Sequence, residues 1–265
     1  MKAKPYVGIT GLTTSNEVKA VVKLFQEFGY TLDSPHIPMM GFLIDYRFIK
    51  GMSKLNMRYP DFKDLTEILQ AADNKVFTMI HYTMYGMESK IMHTLAEQVT
   101  QVFEGIYDDH CKSVQFNIGW PNAEQVEIIK DKFPEMQIVL QLLDRMSDNK
   151  KGELVERIKK LDNLDYILID PSAGKQVEFD IDRSLHQYFV LKDKFPSITL
   201  GFAGGLTGEN LARKIKKIIE KTGDSNFCID AEGGLRTQIG EEFAYDVLDM
   251  KKVRCYLKAA SSVLK

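Results

Sequence analysis

Short runs of β-branched and aromatic residues alternate along the chain with stretches whose apolar positions recur at helical spacing. Tyr6 to Thr10 reads as a first strand. Thr13 to Asn16 offers helix caps, and Glu17 to Phe28 then puts Val18, Val21, Val22, Phe25 and Phe28 on one face before Gly29 ends the helix. The same alternation predicts strands at Met39–Ile44, Lys75–Ile80, Ser113–Asn117, Met136–Leu142, Tyr166–Ile169 and Ile198–Phe202, and a last strand opening the segment Asn226–Leu235. It predicts helices at Phe62–Ala71, Glu88–Phe103, Ala123–Lys132, Glu153–Leu161, Asp182–Lys192, Leu211–Glu220 and about Glu242–Lys258. Strands alternating with amphipathic helices mean a parallel sheet. About eight units with no evident linker point to an α/β fold, a single (β/α)8 barrel domain over residues 1–265. An open doubly-wound sheet is the alternative. Against it, no GxGxxG follows the first strand.

Two stretches near the C-terminal end share one grammar. In ITLGFAGGLTGEN, Ile198 to Asn210, a buried strand runs into Gly204 and Gly205, and Thr207 supplies a hydroxyl to cap a helix near Asn210. In NFCIDAEGGL, Asn226 to Leu235, a short apolar strand runs into Gly233 and Gly234. Glycine lets backbone approach a ligand closely, and a helix start presents N–H groups and partial positive charge. The loops after the last two strands of a β/α barrel often hold phosphate, so these four glycines are candidate phosphate ligands. A strand-to-helix turn with packing glycines is the plainer reading of either stretch alone.

Composition narrows the classes. With 35 basic and 37 acidic side chains, a formal charge of -2, the chain lacks the basic excess of a nucleic-acid binder. Cys111, Cys228 and Cys255 are odd in number and far apart, with no CxxC pair, so neither a disulfide framework nor a structural zinc site is implied. The start, MKAKPYVGIT, has no apolar signal-peptide run, and nothing reads as a membrane span. A reducing cytoplasm is the expected setting, with no membrane partner.

The active site of such a barrel lies at the C-terminal strand ends. Read there, the chain offers Thr10, Asp45, His81, Asn117, Gln141, Asp170 and Glu232, with Asp230 just before it. Each has a plainer reading. Asp170 before Pro171 caps a loop, His81 is a satisfied core histidine, Asn117 and Gln141 bond loop backbone, and Asp45 pairs with Arg47 or a nearby lysine. Lys175 is of the Schiff-base type, though a solvated loop lysine is simpler. Asp45, His81 and Asp170, with Asp230 or Glu232, are also divalent-metal ligand types, but the paired strand-two ligands of pentose-phosphate 3-epimerases are missing and no HxH or HExxH occurs. After strand three, Tyr82, Met84, Tyr85 and Met87 form an apolar cluster, read as a lid over an apolar substrate group or as a subunit contact that would make a homodimer.

These motifs line up with a known family. Gly8–Thr13 (GITGLT) is similar to KICGIT, Gln115–Gly119 (QFNIG) to QLHG, and Leu168–Asp170 (LID) to LLD, with Phe179 and Asp180 following Gly174. Ala203–Asn210 (AGGLTGEN) is similar to AGGLTPEN and Ile229–Arg236 (IDAEGGLR) to VDVSSGVE. The chain thus resembles phosphoribosylanthranilate isomerase, a (β/α)8 barrel of tryptophan biosynthesis, over nearly its whole length. The resemblance implies Asp170 as general acid and Arg58, within RYP, as a carboxylate ligand. It also marks departures: Thr10 stands where the family has its cysteine base, Asn117 where it has a histidine, and Glu232 and Gly233 where it has serines near phosphate.

The expectation is an isomerase, epimerase or carbon–carbon lyase acting by proton transfer on a small phosphorylated sugar-like metabolite, with no cofactor and no metal. Two alternatives remain: a ligand-binding or scaffold protein on a retired isomerase barrel, motivated by Thr10, and a metal-dependent sugar-phosphate epimerase.

Overall fold

A computed structural model describes residues 2–52, 56–84, 86–107, 109–143, 146, 151–171, 180–241 and 245–264. Eight parallel strands close on themselves in sequence order: β1 Tyr6–Thr10, β2 Ile37–Asp45, β3 Phe77–Thr83, β4 Ser113–Phe116, β5 Gln137–Leu143, β6 Tyr166–Asp170, β7 Thr199–Phe202 and β8 Cys228–Ala231. Closure is made by β8 against β1, in the register Val7↔Ile229, Gly8↔Asp230 and Ile9↔Ala231. Successive strand residues face opposite sides. One set packs inside the barrel, where Tyr6, Met39, Met79, Val139, Tyr166, Leu168 and Cys228 form a buried layer. The other set, with Val7, Ile9, Met40, Phe42 and Ile80 among it, faces the helices.

The helices are α1 Ser15–Glu27, α2 Tyr46–Ile49, α3 Leu65–Gln70 after a 3-10 turn at Phe62–Asp64, α4 Glu88–Ile91, α5 Leu95–Phe103, α6 Ala123–Lys132, α7 Lys151–Lys159, α8 Ile181–Lys194, α9 Leu211–Thr222 and α10 Met250–Ser261. α1 starts where the caps place it. Thr14 accepts from Glu17 N–H, and the Glu17 carboxylate accepts from Thr14 N–H, a capping box. α9 ends at Gly223, whose φ of 77° is the left-handed cap conformation.

Three expectations are corrected. The helix read over Glu88–Phe103 is broken by a 3-10 turn at Met92–Thr94. Tyr82 and Met84 are fully buried and Met87 packs on the core, so these three are core side chains and not a lid. Beyond Tyr245 the chain does not continue as the helix read from Glu242. Asp246–Leu248 is a strand, β10, paired antiparallel with β9 Arg236–Gln238, and the helix starts only after Asp249, which accepts from the N–H groups of Lys251 and Lys252. Lys54, Tyr85, Gly174, Lys175 and Phe179 lie outside the described residues. Among the described residues no helix is long and apolar enough to cross a membrane.

Candidate active site

The C-terminal strand ends open into one cavity of about 520 Å³. Its wall includes Arg58, His81, Asn117, Gln141, Asp170, Gly204, Gly205, Asp230, Glu232, Gly233 and Gly234. Residues far apart in the chain thus share one surface because each ends a strand or begins the loop after it. Thr10 lies directly behind. Its hydroxyl donates to the Asp230 carboxylate, 2.9 and 3.1 Å from the two oxygens.

Asp230 is 5% exposed. Burial pushes its carboxyl up to about 7, the charges of Glu232 and Asp170 push the same way, and the Thr10 hydrogen bond opposes them. Asp230 therefore exchanges a proton near neutral pH, which an ordinary surface aspartate does not.

A hydrogen-bonded chain of side chains crosses the wall from β6 to β3. Gln141 Nε2 donates to Asp170 Oδ2 at 2.6 Å. Gln115 Nε2 lies 3.1 Å from Gln141 Oε1 and 3.1 Å from His81 Nδ1. Between β3 and β1 stands Gly41. A Cβ there would collide with both Thr10 Oγ1 and His81 Nε2, so the absent side chain is what admits these two groups to the same layer. Burial lowers the His81 pKa to about 3, so its ring is neutral. His81 does not match the satisfied core histidine of the plainer reading, because its Nε2 is buried with no partner among the described residues.

The glycine corner is built by close approach. Gly204 and Gly205 have φ of 94° and 67°. Any side chain on Gly234 would run into the Leu206 carbonyl, so the loops after β7 and β8 touch through backbone. Thr207 Oγ1 accepts from Asn210 N–H, Asn210 Oδ1 accepts from Thr207 N–H, and Asn210 Nδ2 donates to Gly205 O. α9 begins directly after this turn.

Beside the corner lies an ion cluster that sequence reading missed. Arg58 donates to Asp246 (2.6 Å to Oδ2) and to Glu232 at 2.9 Å. Arg236 donates to Asp246 Oδ1 at 2.6 Å and to Gly11 O at 2.8 Å. Lys252 donates to Arg236 O. Burial alone would raise the Asp246 carboxyl, but the two guanidiniums hold it below the usual range. Asp246 is the centre of this cluster, and its signal was hidden by its placement in a stretch read as helix. Gln115 was missed for a related reason: it lies one turn of the pleat below the strand end.

Asp45 does not join the site. It caps α2 by accepting from Arg47 N–H and pairs with the Arg47 side chain at 2.8 Å. Among the described residues no three His, Cys, Asp or Glu side chains converge as a metal site would require.

No family model and no curated protein matches the chain. Solved structures do. N-(5'-phosphoribosyl)anthranilate isomerase from Pyrococcus furiosus superposes with a TM-score of 0.59 at 16% identity, over 98% of this chain and 100% of that one. Phosphoribosyl anthranilate isomerase from Thermococcus kodakaraensis gives 0.57 at 18% identity, over 97% and 98%. The GH53 catalytic domain of Ignisphaera aggregans gives 0.60 at 11% identity, over 97% and 96%. At such identities the likeness is one of architecture, and it extends to a glycosidase as well as to isomerases. In fold, the chain is a (β/α)8 barrel like the phosphoribosylanthranilate isomerases that it matches from end to end.

Proposed function

We propose that the chain is an enzyme that moves a proton on a small phosphorylated, sugar-like substrate, as an isomerase, epimerase or lyase. One observation carries this reading. Asp230 lies buried on the cavity wall with the Thr10 hydroxyl donating to its carboxylate, and that burial pushes its carboxyl up to about 7. A base is most useful when its pKa lies near the working pH. Asp230 thus takes the part that the family's cysteine would play on β1, and Thr10 becomes its orienting neighbour. Asp170, held by Gln141, is the second proton-handling group. The Gly204–Gly205 and Gly233–Gly234 loops supply backbone N–H groups for the phosphate.

Solvent exchange tests this for all three reaction types at once, since each passes through a carbanion or enediolate that takes up a solvent deuteron at carbon. The protein is incubated in D2O with a panel of aldose and ketose phosphates, and deuterium uptake at carbon is read by mass spectrometry. Uptake into one panel member is expected, falling about 10²–10⁴-fold in Asp230→Asn and in Asp170→Asn. Binding of the panel without any exchange would instead establish the non-catalytic barrel.

A further inference from the structure

Hydrogen bonds along the cavity wall fix more than geometry. Because Gln141 gives its Nε2–H to Asp170, its oxygen is the end turned to Gln115. Gln115 must then donate, and its two N–H bonds go to Gln141 Oε1 and His81 Nδ1. His81 Nδ1 is therefore an acceptor, and the neutral ring carries its proton on Nε2. Two polar atoms of this network have no partner among the described residues: the His81 Nε2–H donor and the Gln115 Oε1 acceptor. Their residues are 3% and 1% exposed, and both line the cavity. An unmatched buried donor or acceptor gives up its hydrogen bonds to water without replacement, so such groups are rare without a use. A donor and an acceptor on two hydrogen-bonded residues of the wall, both uncharged, match hydroxyl and carbonyl groups. They do not match a phosphate or carboxylate, which only accepts.

The facing wall has the opposite character. Its guanidiniums are already engaged by protein groups: Arg58 by Asp246 and Glu232, and Arg236 by Asp246 and the Gly11 carbonyl. The carboxylates Asp170, Asp230 and Glu232 line the same space. A second anionic group entering there would meet three carboxylates against the lining ammonium of Lys252, which donates to the Arg236 carbonyl, and it would have to displace Glu232 or Asp246 to reach a guanidinium.

We propose that His81 and Gln115 are the specificity residues of this site: they take the uncharged oxygens of a polyhydroxy carbonyl chain, and the site accepts a substrate with one anionic group and rejects one with two. The Arg58 carboxylate-binding role implied by the sequence resemblance is thereby replaced by a structural one. In this proposal His81 donates Nε2–H to a carbonyl oxygen as negative charge develops there, a task for which a neutral imidazole suffices. The inference rests on the proposed function only for the phosphate end of the ligand.

Calorimetric titration of the full chain tests it with four probes: inorganic phosphate, ribulose 5-phosphate, pentyl phosphate and 6-phosphogluconate. Ribulose 5-phosphate should bind about tenfold or more tightly than pentyl phosphate, and His81→Phe should remove that advantage while leaving pentyl phosphate unchanged. The phosphogluconate, with its added carboxylate, should bind about tenfold more weakly than the ketose. Equal affinities for the ketose and the alkyl phosphate, or a tighter-binding phosphogluconate, would overturn this inference while the phosphate corner stood. Failure of every probe would instead remove the phosphate reading itself. Nitrogen-15 spectra of His81 in the unmodified protein provide a second measurement independent of any variant. A neutral Nε2–H ring between pH 5 and 8, shifted by ribulose 5-phosphate, is expected; a charged ring or an Nδ1–H tautomer would refute the assignment.

Discussion

Asp230 shows what a single buried carboxyl does in a barrel that carries Thr10 where the family it resembles has a cysteine. Its folded pKa lies above the ordinary aspartate range, so the native state holds a proton that the unfolded chain has lost. The sign follows: stability is greatest at acidic pH and is lost as pH rises toward 7, where the buried group ionises. Asp230→Asn removes that cost. Its melting temperature should exceed that of the unmodified protein, with a gap wider at pH 8 than at pH 5; a gap that widens toward pH 5 would contradict the assignment. The proposed catalysis should have the complementary profile, with kcat/KM rising through an apparent pKa near 7 as the base ionises. The Thr10 hydroxyl lowers the Asp230 pKa, so Thr10→Val should move that limb to higher pH. Both residues were legible as candidates, because each ends a strand. Their partnership was not, since it joins side chains 220 positions apart and only closure brings them into contact.

At the level of elements, hydrophobic periodicity located all eight strands, missing their ends by up to three residues. It failed where local sequence imitates the wrong period. Val247 and Met250, spaced like one face of a helix, hid the β9–β10 pair, although Asp249 is a recognisable cap at the true start of α10. The glycine pairs were legible for a sounder reason, since few other residues fit where two loops meet through backbone. Gly234→Ala places a methyl group against the Leu206 carbonyl, so the loops after β7 and β8 must part. We expect about 1–3 kcal/mol of destabilisation in urea together with weakened phosphate binding. Gly152→Ala is the control. Gly152 sits in α7 with open space where its Cβ would be, so a gain of about 0.5–1 kcal/mol is expected.

For the whole molecule, the ion cluster ties the loop after β2, the loop after β1 and the β9–β10 pair into one rim. Arg58, Arg236 and Asp246 are each at most 5% exposed. Asp246→Asn leaves two buried guanidiniums short of their counter-charge and should cost about 3–5 kcal/mol in urea denaturation. A loss under about 1 kcal/mol would show the rim to be incidental. The seam between β1 and β8 has a consequence for how the protein reaches its active form. Among the strand pairings, those between the first and last strands are the most distant in sequence, and their loop-closure entropy must be met before they contribute anything. The pair proposed to move the proton, Thr10 and Asp230, lies in that seam. A chain that has assembled seven strands already possesses Gln115, Gln141 and Asp170 in place, yet its eighth-strand base is missing. The proposed chemistry therefore needs the closed ring, and recovery of turnover during refolding should report closure of β8 on β1 rather than the collapse that precedes it.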